Sequence, residues 1–153
     1  MATASVTKKL LDGVKAALVA GIGTGSGATH ELASTNIAVG KLPWGSGKSF
    51  PAAIVTPVAE LEGKGTNTTD DIGYGVQITI AQASDVDQDA NADRLYYWRE
   101  QAMSLFRRKR ISGVSEIHTC AIEPRPTIDP TAFSDNIDAT AFVVRAWQRK
   151  TRP

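Results

Sequence analysis

An α+β fold, with a mixed, mainly antiparallel sheet of four to five strands packed against two helices, is what this chain predicts. Three observations predict it. Val76-Gln-Ile-Thr-Ile80 alternates apolar and polar residues strictly, which gives a strand one dry face and one wet face. From Asp93 to Lys109, Leu95, Trp98, Ala102, Leu105 and Phe106 recur at helical spacing and form one apolar stripe. Near the N-terminus, Val6, Leu10, Val14 and Leu18 do the same.

The elements follow in order. A first helix is predicted over Val6–Ala20, with Ser5 or Thr7 as its cap. GIGTGSGATHELAS then reads as a flexible loop. A short strand is expected at Thr35–Lys41 and a turn at Leu42–Lys48. Phe50–Leu61 is extended, but Pro51 and Pro57 lack amide donors, so it reads as an edge strand or an interrupted one. Glu62–Asp71 reads as a polar loop and Gly73–Ala83 as the central strand. The second helix is expected over Ala90–Arg110, with Gly113 near its C-cap. Strands at Glu116–Glu123 and Asp138–Lys150 follow, separated by a proline-stiffened loop. The predicted core joins Leu95, Trp98, Leu105 and Phe106 to Ile78, Ile80, Phe142 and Val144.

The 153 residues fit one domain, 1–153, large enough for a core without disulfides. The single cysteine, Cys120, excludes an internal disulfide. Asp12 and Lys15 interrupt the apolar N-terminal run, so an amphipathic helix is expected there rather than a secretion signal. No run approaches the roughly 18 apolar residues of a membrane span, and no membrane association is expected.

The net charge is +1, but it is unevenly placed. Residues 1–59 carry 5 basic and 2 acidic groups, residues 60–93 carry 1 and 8, and residues 94–153 carry 11 and 6. A chain with one acidic stretch and one basic stretch can meet copies of itself head to tail, where two different patches face each other.

The motifs that suggest chemistry each lack a part. Gly45-Ser-Gly-Lys-Ser49 resembles a phosphate loop, but Leu42 stands where the first glycine belongs and Phe50-Pro51 follows where a helix is needed. Gly23-x-Gly25-x-x-Ala28 follows a helix rather than a strand, which is the wrong geometry for dinucleotide binding. Asp85, Asp87, Asp89, Asn91 and Asp93 alternate like a calcium loop, yet Ala90 and Tyr96 replace the required glycine and bidentate acid. Capping of the second helix is the plainer use of those acids. His118 and Cys120 are too few for a zinc site, and no orienting Asn or Asp stands near them in sequence. Arg107-Arg-Lys-Arg110 can touch phosphate or complement the helix dipole. No catalytic residue, cofactor site or metal site is assigned, and the chain is not expected to be an enzyme.

Taken together, FPAAIVTPVAELE, IGYGVQITIAQASD, LYYWREQAMSLFRRKR and DATAFVVRAWQRK, in that order between an N-terminal helix and the chain end, resemble the tail terminator proteins of long-tailed bacteriophages. The resemblance spans most of the chain and lies in element order and texture. It implies a homohexameric ring in the virion neck, assembled in the host cytoplasm. That ring would cap the tail tube, end its polymerisation and join the tail to the head connector. It implies as partners further copies of the chain, the tail tube protein, the head-connector or stopper protein, and DNA passing through the lumen. The charge pattern then nominates Glu60, Glu62, Asp70, Asp71, Asp85, Asp87, Arg107, Arg108, Arg110, Arg145 and Arg149 as contacts between subunits or rings. The alternatives are a head-completion stopper or other neck or minor tail protein, a small enzyme using His118 and Cys120, and a small cytoplasmic nucleic-acid-binding domain using Arg107–Arg110.

Overall fold

The computed structural model describes residues 4–40, 50–83, 88–128 and 137–151. They form two helices, α1 (Val6–Ile22) and α2 (Gln88–Phe106), and five strands: β1 (Ile37–Val39), β2 (Ala52–Lys64), β3 (Thr69–Ala83), β4 (Thr119–Pro124) and β5 (Ile137–Thr151). The strands make one mixed sheet in the order β1-β2-β3-β5-β4. Only the β1–β2 pair is parallel. The expected α+β architecture is therefore present.

The helices follow their apolar stripes. In α1, Leu10, Val14, Leu18 and Ile22 are completely buried, as four residues spaced by one turn must be if they share a face. The Ser5 hydroxyl accepts from the Lys8 amide at 3.2 Å, so Ser5 is the cap. In α2, Leu95, Trp98, Ala102 and Phe106 are buried. Both helices lie on the sheet face that carries Ala53, Val55, Val76, Ile78, Ile80, Phe142 and Val144, and all of these belong to one core. Leu105 is only partly buried, because it packs on α1 instead of the sheet. A Cβ placed on Gly21 would stand 2.6 Å from Leu105 Cδ1, so the two helices close up where α1 has no side chain.

Four expectations need correction. The loop after α1 is not loose. Trp98 Nε1 donates to the His30 carbonyl at 2.7 Å, the Tyr97 hydroxyl accepts from the Thr29 amide at 3.0 Å, and Leu32 is fully buried. Second, Glu62–Asp71 is not a polar loop. Its ends extend β2 and β3 into a long hairpin in which Lys64 is in register with Asp70, leaving only residues 65–68 to turn. Third, α2 stops at Phe106 rather than Arg110. Arg108 takes the left-handed conformation (φ 56°), and its amide donates to the Cys120 carbonyl of β4 at 3.0 Å. An arginine there costs roughly 1 kcal/mol of backbone energy relative to the right-handed region. Fourth, Gly113 (φ 83°) turns the later connection and does not end the helix.

Pro57 is consistent with the edge reading in half of β2. β1 pairs with Ala53–Val55 only, and no described strand lies outside β2 beyond them. A bulge between Val58 and Leu61 breaks the ladder next to Pro57.

Trp98 joins helix, sheet and loop, so Trp98→Ala is expected to cost about 3–5 kcal/mol. Tyr96→Ala, at a neighbouring exposed position, should stay within about 0.5 kcal/mol of wild type. Urea unfolding of both variants checks this, and equal midpoints would mean that the buried face of α2 has been assigned wrongly.

Candidate subunit-contact surface

The sequence-nominated charges fall into two kinds, those engaged within the chain and those left bare. Arg145 is the most deeply engaged. It lies in register with Gly75 of β3 on the sheet face opposite the helices. A Cβ on Gly75 would sit 2.7 Å from its Nη1, and one on Gly73 would sit 2.8 Å from its Cδ. The two glycines therefore clear a path across β3. Along that path Nη1 donates to the Gly73 carbonyl at 3.1 Å and to the Ala59 carbonyl in the β2 bulge at 2.6 Å. On the other side, Nε and Nη2 donate to both oxygens of Glu123 on β4, at 2.8 and 3.0 Å. One guanidinium thus ties β2, β3, β4 and β5 together. Arg145 is 5% exposed, so it is a structural cross-tie and not a surface contact.

Asp71 and Arg149 also meet within the chain. They are cross-strand partners on β3 and β5, joined at 2.9 and 3.4 Å. The Arg149 guanidinium holds the Asp71 carboxyl below its ordinary value, while Asp71 raises Arg149. Asp70 lies in register between Lys64 and Lys150. Asp85 and Asp87 lie outside the described residues, as does Gly45–Ser49. Asp89, Asn91 and Asp93 are helical positions of α2. Helical spacing removes the alternation that a calcium loop needs.

Two groups remain bare. Glu60 and Glu62 are exposed on the outer half of β2, and neither makes an ion pair among the described residues. Arg107, Arg108, Lys109 and Arg110 are likewise exposed and without a carboxylate among the described residues. Elsewhere two surface cations are held within the chain, while Lys15 and Lys150 are exposed and make no ion pair among the described residues. Lys8 meets Asp12 at 3.0 Å and Lys9 meets Glu116 at 2.7 Å. The bare acids flank the β2 edge. The bare cations occupy the turn that Arg108 fastens to β4, the opposite edge of the sheet. Beside them an open cleft of about 510 Å³ is lined by Arg110 and the connection down to Ile117.

His118 and Cys120 do not form a nucleophile pair. His118 is exposed beside Glu116 and Arg149, whereas Cys120 is 2% exposed in the core and burial pushes its thiol up to about 11. A thiol so placed is protonated and inert near neutrality. Among the described residues, no group of three or more His, Cys, Asp or Glu could hold a metal ion. No described helix is long and apolar enough to cross a membrane.

Sequence reasoning missed two buried guanidiniums. Arg99 stands beside the apolar stripe of α2 and donates to Thr140 Oγ1, the Ala141 carbonyl and the Arg125 carbonyl at 2.6–2.9 Å. Burial lowers its pKa. Nothing in the helical pattern announced it. Arg145 did leave a signal, since two glycines separated by one residue in a strand interior mark a close approach from a neighbour.

No protein-family model matches this chain, and no curated protein matches it.

The Glu123 carboxyl is held below its ordinary value of 4.5, chiefly by hydrogen bonds from Arg145. A carboxyl with a lowered folded pKa stabilises the fold above its unfolded pKa and loses that contribution as pH falls through the folded one. Asp71 and Glu116 are lowered in the same direction. Wild-type stability should therefore decline as pH falls below about 4.5. Glu123→Gln should be less stable than wild type at neutral pH and show a shallower acid decline. Denaturant midpoints across that range check this, and parallel curves would show that the Arg145–Glu123 pair contributes nothing.

Proposed function

We propose that this chain is the subunit of a closed structural ring in the neck of a long-tailed bacteriophage, acting as its tail terminator. One observation carries the reading. Bare carboxylates and bare guanidiniums stand at opposite edges of one sheet. A subunit with unlike, complementary edges joins head to tail, and such contacts close into rings when the rotation permits. The resemblance in element order supplies the biological setting. In that setting the ring ends tube growth because its outer face differs from the tube subunit it sits on. The same face then receives the head connector. A stopper ring of the same neck would use the same edges and differ in axial position.

A second reading, a nucleic-acid-binding domain, is favoured by one observation: the four consecutive exposed cations of Arg107–Arg110. Phosphate contacts by Arg and Lys need no base readout and weaken steeply with salt. If this reading holds, the protein retards labelled duplex DNA at low salt. The logarithm of affinity then falls with log[salt] by about 0.9 per phosphate engaged, and alanine at all four positions abolishes binding. Absence of any anisotropy change at low salt removes this reading.

The ring reading is tested on the particle. A reconstruction of the neck is expected to show a six-fold layer of this subunit between tube and head connector, and virions assembled without it should carry overlong or unjoined tails. A two-fold dimer with no place in the particle, together with normal tails in its absence, would defeat the proposal.

A further inference from the structure

Trp147 lies on the sheet face opposite the helices. Strand register puts Leu61, Gly73, Trp147 and Thr119 in one row across β2, β3, β5 and β4. Trp147 is two residues from Arg145 on β5, so the row shares the face of Arg145. The far edge of the indole comes to rest over β3. A Cβ on Gly73 would stand 3.0 Å from both Cζ3 and Cη2, and one on Gly63 would stand 3.5 Å from Cζ3. The ring is therefore laid along the sheet, in the space that two absent side chains leave. Covering glycine backbone explains where the ring lies, yet Trp147 is only half-buried and Leu61, at the end of the row, is 46% exposed. An aromatic surface with an apolar neighbour thus stays open to solvent.

The charges around this surface are uneven. Asp71 and Glu123 share the face, and both carboxylates are taken, by Arg149 at 2.9 Å and by Arg145 at 2.8 Å. Glu60 and Glu62 alternate to the other face of β2. Arg149, exposed and two residues along β5 from Trp147, uses Nε and Nη2 on Asp71, which leaves its Nη1 free to donate. At the opposite end of the row the basic turn begins. The Arg108 amide donates to the carbonyl of Cys120, the residue after Thr119 on β4. Two strand spacings, roughly 10 Å, separate β5 from that turn. Its four exposed cations have no carboxylate among the described residues.

We propose that this face binds single-stranded nucleic acid, with one base stacked on Trp147 and neighbouring phosphates held by Arg107–Arg110 and Arg149. The proposal deepens the nucleic-acid reading given above and rests on it, while the ring reading stands apart from it. A base is free to stack on an indole only where it is not already stacked within a duplex. Stacking uses the face that every base has, and the cations meet phosphate, so binding is sequence-tolerant and falls steeply with salt.

The test uses the full chain, titrated by anisotropy into a labelled oligothymidylate of about twelve nucleotides, within the range that one small domain covers, and into the matching duplex. At low salt the single strand is expected to bind at least about tenfold more tightly than the duplex and to quench part of the emission of the three tryptophans. Trp147→Leu keeps an apolar side chain over Gly73 but removes the ring. It should weaken single-strand binding at least about fivefold, abolish the quenching and leave duplex binding unchanged. Trp147→Phe, which retains a ring, should restore most of the affinity. Arg107→Glu/Arg110→Glu should weaken both ligands and flatten the salt dependence. Circular dichroism checks that each variant is folded. If Trp147→Leu does not fold, the wild-type preference for single strand and the quenching decide the matter. Equal affinity for strand and duplex without quenching would overturn the platform and leave phosphate contact at the turn standing. So would a folded Trp147→Leu protein that binds like wild type. Binding of neither ligand would overturn the platform and the nucleic-acid reading together. Burial of Trp147 on raising protein concentration alone, read as a blue shift that Trp147→Phe loses, would assign the face to a protein contact and overturn the proposal.

Discussion

Arg145 crosses β3 because Gly73 and Gly75 leave room for it, and its donors reach carbonyls on β2 and β3 and a carboxylate on β4. The other face of the sheet is secured by apolar packing, of α1 chiefly over β1 and β2 and of α2 over β3 and β5, with Arg99 hydrogen-bonded to Thr140 and Ala141. On this face no described helix contributes, and the bulge in β2 interrupts the backbone ladder. A bulge frees a carbonyl, and a freed carbonyl next to a dry sheet is costly unless something donates to it. Arg145 meets that need at Ala59 and is itself neutralised by Glu123. Together with the pairing of Leu61–Lys64 to Gly73–Asp70, this side chain sets the position of the β2 edge, and so of Glu60, Leu61 and Glu62.

How much of this was legible in the sequence depended on the range of the signal. Leu10, Val14 and Leu18 announce α1, and Val76, Ile78 and Ile80 announce β3, because burial of one face imposes a period on nearby residues. The loop after α1 looked loose because its composition is polar and glycine-rich. What holds it are Tyr97 and Trp98, 68 positions away, and no local pattern encodes that. The end of α2 was misplaced for a related reason. Leu105 and Phe106 continue the stripe, and Arg107–Arg110 are good helix formers, but the bond from the Arg108 amide to Cys120 turns the chain toward β4. Of the nominated contact residues, sequence could report charge and not pairing. Arg145, Asp71 and Arg149 proved to be partners within the chain, while Glu60, Glu62 and Arg107–Arg110 stayed bare.

The two kinds of charge serve separate ends. Internal pairs such as Arg145–Glu123 fix strand against strand in a partly dry setting, where removing one partner strands the other. The exposed groups contribute little to the fold, since isolated surface charges rarely do. Their value lies in what approaches from outside. Arg99, buried beside Phe142 with neutral oxygens as its described acceptors, belongs with the first kind. It fastens the outer side of α2 to the start of β5.

The ribbon formed by the far ends of β2, β3 and β5 has a consequence for the order in which the molecule opens. Past Ile72 and Ala146 none of its described residues joins the core, and its far end is held by backbone pairing and by polar side-chain contacts that include the exposed Asp71–Arg149 ion pair. Amide protons around Gly63 and Asp71 should thus exchange with solvent through small local openings, while those around Val55, Ile78 and Phe142 wait for global unfolding. The boundary between the two regimes falls at Arg145. The domain is in effect a stiff body carrying a compliant arm, and an arm of that kind can bend to meet a neighbour without disturbing the core to which it is attached.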